Sequence, residues 1–474
     1  MEAAQPNAVT NLQNYVTTLI TDTINQDQAA GGGNYLGSTG SGATSTWSIV
    51  WGPFVYSSDE TSTTVVADNI MALFYNAVEN VYMVGIAATN SVSTYDWLSE
   101  DSDTGDVTAW NLIPNPAGGP SLSNAPSDAC ISNGALNGMN ALLAMKDSNG
   151  NSMVTALQTA FAANPAADIY VSGHSLGGGL TPFIALYLYE NQSYWRPSGL
   201  AVTINALPTA GPTFSDNYFA TYYTGLLNTS PSSSTLGFTY SNLCNTIDVV
   251  PMGYDLTTMI NIPFVYDSYY TALGTPTDAL SSSLVTALIC SSFNVPSAWP
   301  HIPVDNNYTL IAAADFFTCT YQSGNPYSSS SSNPLANIPA LSDLYTAFHD
   351  GIGAIFWGNS TLFNSKLYGS GETKGDTNYA YYLMDLGMYF LQVVYQHTIM
   401  YYGAPNTPSS APMNVYDFMV EFQAIQATVT PPASVTFTSI PVAMAKAMIG
   451  KYTGFKNMDK LAALGKSAAK KTVA

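Results

Sequence analysis

Apolar residues recur along this chain in two rhythms, one helical and one extended. Val9, Leu12, Val16, Leu19 and Ile20 fall at helical spacing and predict a polar-faced helix over 7–28. A Gly/Ser/Thr-rich linker follows, over 31–46. From Trp47 the rhythm becomes that of strands: WSIVWGPFVY, IMALFYNA and NVYMVGIAAT, each bounded by polar turns. The third is nearly continuous in apolar residues from Tyr82 to Ala87, as expected of a strand covered on both faces.

Residues 105–130 are rich in Pro, Gly, Ser and Asn and read as a surface loop. Helices are predicted over 132–145 and 153–163, then a short buried strand at Ile169-Tyr170-Val171 and a helix over 180–189 that is apolar nearly throughout. A strand over 200–207, a helix over 217–227 and a strand at Gly237 to Tyr240 complete the alternation. Strands and helices taken in turn predict an α/β fold with a mostly parallel sheet.

From about 255 to 375 the rhythm breaks into aromatic clusters, a serine tract and short apolar helices, too long for a plain loop. This stretch is expected to be a mainly helical and loop insertion, a cap or lid over the site. A strong apolar pattern resumes at 385–400, and the chain closes with an Ala/Lys-rich helix over 443–471. The expected organisation is an N-terminal helix and linker over 1–46, a core over 47–254, a lid over 255–375, core completion over 376–430, and a Lys-rich tail over 431–474.

Composition narrows the partners. Of 474 residues 46% are hydrophobic and only 9% charged, so Ser, Thr, Asn, Gln and the 32 tyrosines must cover the surface. A net charge of −20 argues against nucleic acid as a partner. The lysines at 446, 451, 456, 460, 466, 470 and 471 gather most of the 11 basic residues in the tail. That tail could hold an anionic lipid interface, or fold onto the acidic body. The four cysteines, Cys130, Cys244, Cys290 and Cys319, show no C-x-x-C spacing, so a zinc site is not expected. No apolar run of membrane-spanning length occurs. The opening Met-Glu-Ala-Ala-Gln lacks the features of a signal peptide, yet secretion remains the expected localisation.

The chemistry centres on Gly173-His174-Ser175-Leu176-Gly177, a G-x-S-x-G match between a predicted strand and a predicted helix. A serine there rides a strained turn that exposes its hydroxyl, and the N–H of Leu176 is aimed where an oxyanion would form. Thr89, at the end of the third strand, offers a second N–H and a hydroxyl; it could equally be a turn former. Asp248 lies just past a predicted strand, where an acid can reach the rim that carries Ser175; a cap or turn acid is the competing reading. Ser175 also needs a base, and there are four histidines. His174 adjoins the nucleophile and is expected to pack or hydrogen-bond beneath the turn. His349 sits in a helical apolar pattern. His301 and His397 remain open, with His301 closer in sequence to Asp248.

These motifs together resemble the class 3 lipase family of α/β-hydrolases. GHSLGG at 173–178 is the strongest match, and DVVP at 248–251 stands where the family carries its catalytic acid. YMVGIAATNSVSTYDWLSED is similar to the family's strand and oxyanion loop, with Ala88 where the family usually has glycine. QHTIMYYG at 396–403 looks like the surroundings of the catalytic histidine in bacterial members, which favours His397 over His301. The resemblance covers about 47–255 and 380–402. It implies a Ser175–His397–Asp248 triad with Thr89 and Leu176 as the oxyanion hole. It further implies hydrolysis of carboxylic esters, commonly acylglycerols, beneath a mobile lid, with no metal or organic cofactor. Two rival readings are a non-catalytic lipid-binding protein on the same fold, and a phospholipase or polyester depolymerase using the same triad.

Overall fold

The computed structural model describes residues 8–29, 47–58, 66–89, 99–101, 103–245 and 247–254, with 258, 262, 265, 308–311 and 397. Helix α1 (Ala8–Ala29) leads into strands β1 (Trp47–Tyr56), β2 (Asn69–Asn76) and β3 (Val81–Ile86). Strands β4 (Val107–Ala109) and β5 (Cys130–Ser132) precede helices α2 (Asn133–Ala144) and α3 (Met153–Ala163). Then come β6 (Asp168–His174), α4 (Leu176–Glu190), β7 (Thr203–Thr209), α5 (Asn217–Leu226), β8 (Gly237–Tyr240), β9 (Asn242–Asn245) and β10 (Tyr308–Ile311).

Among the described residues the central sheet runs β1-β2-β3-β6-β7-β9-β10, with β8 also paired to β7. The β1–β2 and β2–β3 pairs are antiparallel, and every pairing from β3 onward is parallel. A mostly parallel sheet with helices packed along it is the α/β-hydrolase-type architecture expected. Parallel strands must be joined by crossovers, and α4 supplies the one between β6 and β7. Its buried residues run without interruption from Leu176 to Leu188, which explains its unbroken apolar sequence.

Three helices begin where a polar side chain accepts an orphan backbone N–H, each cap worth about 1 kcal/mol. Ser132 Oγ accepts from Ala135 at 3.0 Å, Ser152 Oγ from Thr155 at 3.4 Å, and Asp216 Oδ1 from Phe219 at 2.8 Å. Helix α1 forms its own small cluster on the sheet edge, where Leu12, Val16 and Ala67 are buried against Val55 and Ile70. Among the described residues no helix is long and apolar enough to cross a membrane.

Two features differ from the sequence reading. The 105–130 stretch is not all loop, because β4 and β5 pair antiparallel within and beside it. Strands of three residues are too short for a periodic signal. Strand β3 alternates in burial: Tyr82, Val84 and Ile86 are buried, and the residues between them are only half-buried. Its second face is lightly covered, and Phe74 of β2 lies over Gly85.

Most of 255–375, almost all of 376–430 and the whole tail lie outside the described residues. Seven residues of the expected lid stretch are described, 258, 262, 265 and 308–311, and the last four, as β10, extend the sheet parallel to β9. Cys130 and Cys244 carry free thiols; Cys290 and Cys319 lie outside the described residues.

Candidate active site

Strand β6 ends at His174, helix α4 begins at Leu176, and Ser175 alone makes the turn between them. Its φ of 58° and ψ of −124° fall in a region that L-residues rarely occupy. Neighbouring backbone enforces the bend. A Cβ on Gly173 would sit 2.4 Å from the Gly177 carbonyl oxygen. One on Gly177 would sit 2.6 Å from the carbonyl oxygens of both Ile86 and Ala87. Only glycine at both places lets strand, helix and the end of β3 approach this closely. The Ser175 N–H donates to the Thr209 carbonyl at 3.0 Å, and the Ser175 carbonyl accepts from Gly179 at 2.9 Å. As the first residue of α4, Leu176 has an N–H with no acceptor inside the helix, at the positive end of the dipole.

The end of β3 therefore lies against the start of α4, and Thr89 follows three residues after β3. Thr89 Oγ1 donates to Asp101 Oδ2 at 3.2 Å. Asp101 is buried, and burial pushes its carboxyl up to about 7 against the pull of the Thr89 hydrogen bond and the His397 charge. Beside it, Glu100 is fully buried and pushed up to about 8, again chiefly by burial, while Asn69 Nδ2 donates to its Oε2 at 3.1 Å. The Tyr254 hydroxyl donates to the Asp101 carbonyl oxygen and ties this loop to the loop that carries Asp248.

Asp248 is buried, 1% exposed. Its Oδ1 accepts the Val250 N–H at 2.9 Å, which leaves Oδ2 for a second partner. That partner is His397 Nδ1, at 2.8 Å. The two residues are 149 positions apart in the chain. The His397 ring also lies 4.7 Å, centroid to centroid, from the ring of His174, the residue before Ser175. His174 Nδ1 in turn lies 3.1 Å from Thr209 Oγ1, at the end of β7.

Thus Ser175 and Leu176 follow the carboxyl end of β6 and Asp248 that of β9, the rim where open α/β sheets bind ligands, and His397 reaches it through Asp248 and His174. Thr89 flanks them at the end of β3. His301 and His349 lie outside the described residues. His174 lies between Thr209 and the ring of His397. The sequence reading did not single out Glu100, Asp101 or Tyr254. Two adjacent acids after Trp97 read as solvated surface, and only the fold buries them. Among the described residues no group of three or more His, Cys, Asp or Glu is arranged to hold a metal ion.

A strained serine at a strand-to-helix turn thus shares one rim of a mostly parallel sheet with an acid–histidine pair. Residues 112–254 match the class 3 lipase family, described as Lipase (class 3). No curated protein matches the chain. Among solved structures it is similar to M37 lipase, with 22% identity over 56% of this chain and 72% of that one, at a TM-score of 0.42. A triacylglycerol lipase from Penicillium expansum is 16% identical over 51% of this chain and 74% of its own, at a TM-score of 0.31. The Lip2 lipase of Yarrowia lipolytica is 17% identical over 44% of this chain and 60% of its own, also at 0.31. The family match supports a hydrolase of the lipase class.

Proposed function

We propose that this protein is a lipase or carboxylesterase that cleaves carboxylic esters, acylglycerols foremost, through an acyl-enzyme on Ser175. The observation that carries the reading is the 2.8 Å contact between His397 Nδ1 and the buried Asp248. A buried carboxylate on Nδ1 fixes the tautomer that leaves Nε2 bare, and bare Nε2 is the general base a serine hydroxyl needs.

In the proposed reaction Ser175 Oγ attacks the ester carbonyl as His397 Nε2 takes its proton. The resulting imidazolium is held by Asp248. The oxyanion receives N–H groups from Leu176 and Thr89 and the Thr89 hydroxyl, one such donor being worth ~3 kcal/mol. Collapse expels the alkoxide, which takes the proton back from His397 and leaves as alcohol. Water then attacks the acyl-serine by the same proton path and releases the acid.

Turnover of p-nitrophenyl esters and triacylglycerol emulsions tests the proposal, with Ser175→Ala as the control. Loss of turnover in the variant, with stoichiometric fluorophosphonate labelling of the natural protein, supports it. Absence of labelling would leave a lipid-binding protein without catalysis. Preference for phospholipid or polyester over acylglycerol would retain the triad and change the substrate.

A further inference from the structure

The second histidine of the site has no role in that reaction, yet it is the side chain packed against the base. His174 presents its ring to His397 at 4.7 Å with 37° between the planes. On the other side, Thr209 grips three consecutive residues of the nucleophile's turn. Its hydroxyl lies 3.2 Å from the Gly173 carbonyl and 3.1 Å from His174 Nδ1, and its carbonyl accepts the Ser175 N–H at 3.0 Å. A path of contacts therefore runs from the end of β7 through His174 to the ring of His397.

We propose that His174 is a positioning residue for the base: its ring, anchored on Thr209, packs against the His397 imidazole and holds it on Asp248 and in register with the Ser175 turn. The role rests on the reaction proposed above, but the placement it describes can be measured without turnover.

Histidine suits the task for two reasons. His397 comes from far along the chain, 222 residues after Ser175, and shares no secondary-structure element with it. Its alignment has to be supplied by a neighbour with a flat face and polar edges. That neighbour must also stay uncharged, because a cation against His397 would oppose the imidazolium that forms during reaction. Burial, reinforced by the His397 charge, pushes His174 down to about 3, so it is neutral wherever the base works.

The experiment compares His174→Ala, which removes the ring, with His174→Phe, which keeps a flat ring but loses the bond to Thr209, and with Thr209→Val, which removes the anchor. The first readout is the low-field proton resonance of the His397 Nδ1–H bonded to Asp248, assigned by its loss in His397→Ala. It is expected to persist in the natural protein and to be lost to exchange in His174→Ala. The second readout is steady-state kinetics. His174→Ala should lower kcat roughly 10- to 100-fold with KM nearly unchanged, the size expected of a base displaced by a fraction of an ångström to an ångström. His174→Phe should restore part of it, and Thr209→Val should fall between His174→Ala and the natural protein. A His174→Ala protein with an unchanged resonance and unchanged kcat overturns the inference. If His174→Ala does not fold, the same readouts on Thr209→Val decide, and natural behaviour there overturns it. A resonance that follows this pattern in a protein that fluorophosphonate never labels would uphold the positioning and remove the reaction instead.

Discussion

Thr89 Oγ1 lies 3.2 Å from a carboxyl oxygen of Asp101, 12 residues further along the chain. The threonine hydroxyl has one proton to give. If Asp101 is ionised it takes that proton, and a negative charge sits beside the place where the oxyanion forms. If Asp101 is neutral its own O–H donates into Thr89 Oγ1, and the threonine proton is free for the oxyanion. Burial pushes Asp101 up to about 7, so the switch falls near neutrality. In the proposed mechanism kcat/KM therefore declines as pH rises through about 7. The decline should be roughly 10- to 100-fold, short of losing a whole oxyanion donor because the N–H groups remain. Asp101→Asn donates an amide N–H at every pH and should flatten that alkaline limb. An alkaline limb that Asp101→Asn leaves in place would detach this carboxyl from the oxyanion loop.

Asp248 makes a sharper prediction. Asparagine in its place would still fill the site and accept the Val250 N–H that now reaches Oδ1. Its amide N–H would face His397 Nδ1, however, and stabilise the tautomer with the proton on Nε2. Asp248→Asn should then reduce kcat by ~10³- to 10⁴-fold with little change in the melting temperature. Single-turnover acylation of Ser175 is the measurement. A variant that acylates at the natural rate would remove Asp248 from the reaction.

The Ser175 turn was legible in the sequence because Gly173, Ser175 and Gly177 stand together in the chain; the β3 carbonyls and Thr209 that close around it were not. Element positions were legible for the same reason: the apolar run ahead of Gly173 became β6, and Met153–Ala163 became α3 with the bounds the pattern gave. Asp248 could be placed on a strand end, but its pairing with His397 is tertiary. Position leaves His301 and His397 both open, with His301 the more compact in spacing, and it is the QHTIMYYG resemblance that points to His397. The acids at 100 and 101 were illegible altogether. What buries Glu100 is the close approach of α2, where a Cβ on Gly134 would lie 1.9 Å from the Glu100 carbonyl oxygen. No property of the Glu-Asp dipeptide announces that contact.

The strain at Ser175 should be measurable as lost stability. A serine held at φ 58° and ψ −124° costs of order 1–3 kcal/mol, and glycine tolerates that conformation far better. The carbonyl and N–H of residue 175 keep their hydrogen bonds whatever side chain is present. Ser175→Gly should therefore raise the free energy of unfolding by about 1 kcal/mol, less than the full strain because glycine also gains freedom in the unfolded chain. Urea denaturation of the two proteins reads the difference, and esterase activity should vanish in the variant. Unchanged or lower stability would mean that the bend is not strained.

Glu100 offers a prediction about stability that does not depend on the reaction. Its carboxyl moves from an ordinary value of 4.5 to about 8 in the folded protein, mainly through burial. Between those pH values the unfolded chain has lost this proton and the folded chain keeps it. Folding then takes up a proton, so the free energy of unfolding falls as pH rises from about 4.5 to about 8 and levels off beyond. The neutral acid also answers a polar deficit: Asn69 Oδ1 and Glu100 Oε1 are both buried without a partner while their other ends are joined. A proton on Glu100 Oε1 supplies the donor this pair lacks. Glu100→Gln keeps the size, the acceptor for Asn69 and a donor, with nothing to ionise. The natural protein should lose on the order of a few kcal/mol of stability across this range, and the variant should lose distinctly less. Asp101 and Glu190, also raised by burial, remain in both, so the variant keeps part of the slope. Urea unfolding at pH 5 and pH 8 measures the difference, and parallel losses in the two proteins would show that Glu100 is ionised in the fold at neutral pH.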